Sequence, residues 1–202
     1  MAATPSFSGD ERINLTSAEV LLADGHAQGL DLLVAMFAGF GVMRPRCCSS
    51  GSEVKRLIAT REFNLFVVDS ALADGDGYEF VRWLRRSNLR PNSVAPIILI
   101  TGHTRQADVL KGRDCGANFV VRKPASPLVM LQRILWLSRE NRQFVESAGY
   151  VGPDRRFRAL GPPPGMKGRR SDDLSAHVGA ATTPNLEQDD IDALFQPKRV
   201  SL

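Results

Sequence analysis

Four apolar runs, each closed by one polar side chain, organise the chain. Val20-Leu21-Leu22-Ala23 ends in Asp24, and Phe63-Asn64-Leu65-Phe66-Val67-Val68 ends in Asp69. Ala95-Pro96-Ile97-Ile98-Leu99-Ile100 ends in Thr101, and Asn118-Phe119-Val120-Val121-Arg122 leads into Lys123-Pro124. Between these runs the apolar spacing becomes helical. Leu30, Leu33, Val34 and Phe37 share a face, ended near Gly39 to Gly41; Val54, Leu57 and Ile58 follow a capping stretch at Ser49 to Ser52. Phe80, Val81, Trp83 and Leu84 mark a third helix, Gln106 to Asp114 a fourth closed by Gly116, and Pro127 to about Gln143 a fifth. A short strand near Val42 to Cys48 is the poorest match, because Arg44 and Arg46 spoil its alternation. The alternation predicts an α/β fold: a parallel sheet with helices on both faces and right-handed crossovers.

Such sheets place their chemistry outside the carboxyl ends of the strands. An isolated aspartate at a strand end is most often a turn or helix cap. Two carboxylates, a hydroxyl and an ammonium, each closing a parallel strand, converge on one edge and define a candidate site. The loop after Asp69, Ser70-Ala71-Leu72-Ala73-Asp74-Gly75-Asp76-Gly77, is rich in aspartate and glycine, as a reaction-site loop is.

From Glu19 to Asn141 these residues resemble the receiver domain of bacterial two-component response regulators. The resemblance implies a flavodoxin-like, doubly wound, five-stranded parallel sheet, the receiver fold; beyond it, the Pro/Gly-rich composition predicts a disordered C-terminal tail. It implies that Asp69 accepts a phosphoryl group from a histidine kinase or phosphotransfer protein, that Thr101 hydrogen-bonds that group, and that Lys123 pairs with it. Asp76-Gly77 matches the family's acidic-glycine pair, and Lys123-Pro124 its lysine-proline peptide, commonly cis. A phosphoryl group brings about −1.5 to −2 charge and strong acceptor oxygens, so an ammonium and a hydroxyl suit it. The family also uses Mg²⁺, here expected on Asp24, Asp69 and the Ala71 backbone carbonyl.

The departures are specific. Receivers carry two adjacent acids after the first strand, whereas this chain has Asp24-Gly25-His26. Magnesium prefers oxygen ligands, so Gly25 weakens the expected metal site, and imidazole suits softer metals; His26 reads as a surface loop residue. Ala73 replaces a frequent proline. Val120 takes the place of an aromatic residue that swings inward on activation, while Phe119 should face the opposite side by strand alternation.

The 43% apolar content is ordinary for a globular protein. The sequence contains no run long enough to span a bilayer, and the N-terminus lacks a secretory core. Cys47, Cys48 and Cys115 form no CxxC and fit neither a disulfide framework nor a zinc site. A reducing cytoplasm is the expected location. The chain divides into a flexible start (1–16), a receiver (17–145), a basic Pro/Gly-rich linker (146–184) and a short amphipathic tail peptide (185–202).

The net charge of +4 conceals an uneven tail. Pro153 to Arg170 holds six basic residues against Asp154, and Ser171 to Gln196 holds six acids and no Lys or Arg. The basic block reads first as solvated linker; binding of a cyclic dinucleotide is a minority alternative, and DNA binding is not expected because no recognition element accompanies it. Within the acidic block, Ile191, Leu194 and Phe195 fall at i, i+3 and i+4, predicting a short helix with an exposed apolar stripe. This peptide resembles the motif by which the flagellar switch protein recruits phosphorylated chemotaxis regulators. It suggests docking on its own domain, or on another receiver or a flagellar switch component, with chemotaxis as the setting.

Two readings of function result. One is a single-domain response regulator, not a conventional enzyme, that signals by phosphorylation-dependent protein contacts. The other is a phosphorylation-independent pseudo-receiver that acts through its tail peptide. A flavin-binding α/β protein and a hydrolase are disfavoured, because no phosphate-cradling loop follows the first strand and no histidine sits near a nucleophile elbow.

Overall fold

The computed structural model describes residues 15–139, 142–155 and 186–195. Five strands form one parallel sheet: β1 (Val20–Ala23), β2 (Arg46–Cys48), β3 (Leu65–Asp69), β6 (Ile97–Thr101) and β7 (Phe119–Arg122). Their spatial order is β2-β1-β3-β6-β7. Two short strands of the loop after Asp69, β4 (Ala71–Leu72) and β5 (Gly75–Asp76), pair with each other. The central strands are covered on both faces, which is why they read as continuous apolar runs rather than alternations.

Helices α1 (Ala27–Gly39) and α5 (Pro127–Arg139) close one face, where Leu33, Met36, Phe37, Met130 and Ile134 pack on Leu22, Val67 and Ile98. Helices α2 (Gly51–Ile58), α3 (Gly77–Arg86) and α4 (Gln106–Asp114) close the other, where Val54, Val81, Leu84 and Val109 meet Phe66, Leu99 and Val120. Ser50 caps α2 as expected, accepting from the Glu53 N–H, and Asp76 caps α3 through the Tyr78 N–H. Gly116 ends α4 at φ 101°, a backbone region open to glycine. The three cysteines are free thiols, Cys48 and Cys115 buried and Cys47 exposed.

The far end of the sheet holds a buried cation. Arg85 donates to the carbonyls of Gly116, Ser93 and Ala95 and to Asn118 Oδ1 at 2.7–2.9 Å. Burial lowers its pKa to about 10, and carbonyl dipoles rather than a carboxylate hold it.

Three boundaries differ from the sequence reading. The second strand covers only Arg46–Cys48, since Val42 is buried outside the sheet and Arg46 lies exposed on its edge. The last receiver helix is described over Pro127–Arg139, and Gln143 lies outside any helix. Residues assigned to the linker from 146 onward are partly folded: β8 (Phe144–Glu146) and β9 (Val151–Pro153) form an antiparallel hairpin against α3. The Tyr150 hydroxyl donates to the Pro153 carbonyl at 2.7 Å within that hairpin. The rest of the expected linker and the N-terminal residues 1–14 lie outside the described residues.

Inside the tail segment, α6 (Gln188–Phe195) is a helix, as its acidic start and apolar spacing predict. Of its stripe, Ile191 is not exposed as expected. Ile191 has no accessible surface and joins the core cluster containing Val120 and Val109. The Leu194 and Phe195 side chains lie outside the described residues.

Candidate functional site

The expected quartet converges. Asp24 follows β1, Asp69 ends the adjacent β3, Thr101 ends β6, and Lys123 follows β7. The Lys123 Nζ donates to Asp24 Oδ2 at 2.7 Å and also to Asp69 Oδ2, bridging the two carboxylates. Asp24 is fully buried and Asp69 nearly so. Burial opposes ionisation of Asp24, but the Lys123 bond and the His26 backbone N–H hold its pKa below the usual value. Burial raises the Asp69 pKa, and the Asp24 charge adds to that, against the Lys123 bond. Burial disfavours the Lys123 ammonium, yet its two carboxylate partners raise its pKa. With both carboxylates ionised, the trio sets a buried −2 charge against one ammonium and keeps a net negative charge.

On its other oxygen, Asp69 accepts from the Ala71 N–H at 3.2 Å and from the Ser70 hydroxyl at 3.3 Å. Ser70 Oγ also lies 3.0 Å from Thr101 Oγ1. Thr101 accepts from the His103 N–H at 3.1 Å, and the Tyr78 hydroxyl reaches it at 3.5 Å. Neither Ser70 nor Tyr78 stood out in the sequence. Position i+1 to the strand-end aspartate was the available signal for Ser70; for Tyr78, a tyrosine on the core face of α3 carries none. Asp76 and Gly77 act as expected on the loop: Asp76 also pairs with Lys111 at 2.7 Å, and a Cβ at Gly77 would collide with the Asp69 carbonyl.

The loop explains two departures from the family pattern. The Ala73 N–H donates to the Ser49 carbonyl at 2.9 Å, a bond proline could not make. The Gly25 N–H donates to the Ala71 carbonyl at 3.2 Å, and a Cβ at Gly25 would stand 2.7 Å from that oxygen and 2.8 Å from the Ala73 nitrogen. No side chain fits at 25 while the loop lies this close. Gly25→Ala is therefore expected to destabilise the protein by about 1–3 kcal/mol through overpacking against backbone. Urea unfolding checks this, and an unchanged midpoint would show that the loop yields freely.

Residues for a divalent ion are present. Ligand atoms of Asp24, His26 and Asp69 all lie within 4.8 Å of one another. His26 is exposed, as a loop histidine should be, yet its Nδ1 stands 3.5 Å from Asp24 Oδ1. Two carboxylates fit a hard cation. The Ala71 carbonyl accepts from the Gly25 N–H, which leaves its second lone pair for a cation. Chemically, the site offers a buried carboxylate flanked by an ammonium, hydroxyls and a backbone N–H, a set able to attack an electrophile and hold the anion that results.

The profile of the response regulator receiver domain matches residues 20–135. The chain belongs to that family. It is similar to the transcriptional regulatory protein GltR of Pseudomonas aeruginosa, 34% identical over 64% of this chain and 52% of GltR. It is also similar to the protein PetR of Rhodobacter capsulatus, 31% identical over 55% of this chain and 42% of PetR. The chain thus spans about half the length of these curated relatives or less. A response regulator structure from Chloroflexus aurantiacus matches with a TM-score of 0.56 at 23% identity, over 61% of this chain and 98% of its own. DrrB of Thermotoga maritima, described as an OmpR/PhoB homolog, matches with a TM-score of 0.53 at 26% identity, over 64% of this chain and 56% of its own. The fold is the five-stranded receiver fold, and receiver domains are signalling modules rather than conventional enzymes.

Proposed function

We propose that Asp69 receives a phosphoryl group from a histidine kinase or phosphotransfer protein and that the chain signals through phosphorylation-dependent protein contacts. The observation that carries this reading is the convergence of Asp69, Lys123, Ser70 and Thr101 at one sheet edge. An Asp69 carboxylate oxygen attacks the phosphorus, the bond from phosphorus to the donor's nitrogen breaks, and the released imidazole keeps that electron pair. The acyl phosphate replaces one carboxylate charge by a larger anion, which Lys123 neutralises and the hydroxyls of Thr101 and Ser70 can bond. Catalysis here consists of positioning and electrostatics. Mg²⁺ would be held by Asp24 and Asp69, and when bound it supplies charge neutralisation.

The cytoplasm is the proposed location; among the described residues no helix is long and apolar enough to cross a membrane. Chemotaxis or motility is the proposed setting, supported by the resemblance of the tail peptide to the switch-protein motif. That resemblance also supports another receiver or a flagellar switch component as partner. The curated relatives named above are transcriptional regulators in part, and no DNA contact is proposed for this chain. The basic block that raised the cyclic-dinucleotide alternative lies almost wholly outside the described residues.

A second reading has its own observation. Gly25 leaves out one acid of the expected metal site, a departure suited to a pseudo-receiver that needs no metal. Incubation with a small-molecule phosphodonor separates the two. The expected result is one phosphoryl group per chain by intact mass, dependent on Mg²⁺ and lost with a chelator. Absence of labelling where an ordinary receiver labels would establish the pseudo-receiver.

A further inference from the structure

α6 packs on β7 and α4, and its side chains reach α5. β7 is the last strand of the sheet, so its outer edge presents backbone groups that must find partners. Gln188 supplies them. Its Oε1 accepts from the Arg122 N–H at 2.8 Å, and its Nε2 donates to the Val120 carbonyl at 3.3 Å, so one side-chain amide pairs with the edge as a neighbouring strand would. Ile191 fills the apolar floor, and Leu186 packs beside it. Glu187 pairs with Arg122 and Asp192 with Arg133, while Asp189 and Asp190 face solvent. Edge pairing, an apolar plug and two ion pairs of one polarity describe a recognition surface with defined chemistry.

The same contact touches the Asp69 site. Leu186 donates its N–H to the Thr104 carbonyl and accepts from the Thr104 hydroxyl, both at 2.8 Å. Thr104 follows directly on His103, whose N–H and carbonyl bond the Thr101 hydroxyl. Only the short turn Thr101-Gly102-His103-Thr104 separates the end of β6 from the start of the docked tail.

We propose that α6 is a tethered, releasable occupant of the groove formed by α4, β7 and α5, held there in competition with any partner helix of the same pattern. The groove recognises glutamine at the strand edge, isoleucine three residues on and acids facing Arg122 and Arg133. A partner helix of this pattern must displace α6 before it binds. A change at Thr101 on phosphorylation reaches α6 through Thr104. This last link rests on the phosphoacceptor reading; the competition does not.

The test uses the full-length chain and a fluorescein-labelled peptide of residues 185–196 of the same sequence. A tethered ligand acts at an effective concentration of about millimolar, so free peptide should bind the wild type weakly. Ile191→Asp, which ejects the tail, should tighten peptide binding about 10- to 100-fold. Gln188→Ala, which removes the edge pairing and the bond to Asp192 but spares the apolar plug, should give a smaller gain. Circular dichroism shows that both variants remain folded. Equal peptide affinity for wild type and both folded variants, or binding to none, overturns the proposal. A concentration-dependent dimer of wild type that Ile191→Asp abolishes overturns the tethered arrangement and assigns the groove to a second copy. Hydrogen exchange at the Leu186 amide before and after phosphodonor treatment reads the link to Asp69. Faster exchange supports it. Unchanged exchange in labelled protein rejects the link while leaving the competition intact, and a failure to label rejects the phosphoacceptor reading instead.

Discussion

Lys123→Ala is expected to destabilise the protein by about 3 kcal/mol at neutral pH, more than any surface substitution would. The loss comes less from the ammonium's own bonds than from what remains. Asp24 and Asp69 are both buried, and without Lys123 they become two uncompensated carboxylates facing each other. Lys123 keeps partial solvent access, so the low end of the range for breaking a buried pair applies. The pH dependence identifies the cause. In the wild type the raised Lys123 pKa keeps its stabilisation throughout the neutral range, losing it only as pH rises through that value. The depressed Asp24 pKa keeps its contribution above the unfolded value and loses it only as pH falls through the folded one. In the variant both carboxyl groups shift upward, so the folded state takes up a proton more readily than the unfolded chain. The deficit should therefore shrink as pH falls from neutral to about 5. Urea unfolding at the two pH values measures it; a deficit independent of pH would assign the loss to packing of the lysine stem.

The strand-end residues were legible because a parallel sheet converts their separation in sequence into proximity. Asp24, Asp69, Thr101 and Lys123 each close an apolar run, and parallel pairing leaves them one edge to share. Their environment was not legible in the same way. Ser70 and Tyr78 meet Thr101 only because the loop after β3 and the first turn of α3 bend back over the site. Asp74 is another example: it binds the N–H groups of Gly51 and Ser52 at the start of α2, 23 and 22 residues away. No local periodicity encodes such a contact. Gly25 looked like the loss of a ligand, whereas the structure shows that it also admits the close approach of the loop after β3. The β8–β9 hairpin was hidden by its length, since three-residue strands carry little alternation. The apolar spacing in α6 indicated the helix but was read as an exposed stripe; that Ile191 is buried depended on the free edge of β7 and on Arg122 and Arg133, residues more than fifty positions away in sequence.

Asp69→Asn is expected to abolish phosphoryl incorporation while leaving stability within about 1 kcal/mol of the wild type. The two outcomes have separate origins. An amide oxygen lacks the nucleophilic charge of a carboxylate, so labelling on this residue ends, and persistent labelling of the variant would remove Asp69 from the role proposed for it. Stability responds to a balance. The Asp69 pKa is raised, by burial first and by Asp24 second, so its ionised form costs folding free energy at any pH above that raised value. Asparagine relieves this cost and leaves Lys123 to Asp24 alone. It also loses one acceptor, because its oxygen cannot serve both Lys123 and the Ala71 N–H as the carboxylate does. The relief grows as pH rises from about 4 through the raised pKa, whereas the lost hydrogen bond does not titrate there. The stability of Asp69→Asn relative to the wild type should therefore rise over that interval and then level off. A relative stability that instead falls over the interval would mean that Lys123 holds Asp69 below its ordinary pKa, making its charge a stabilising feature of the fold. The rise, combined with the loss of labelling, marks Asp69 as a carboxylate kept for its chemistry at the expense of stability.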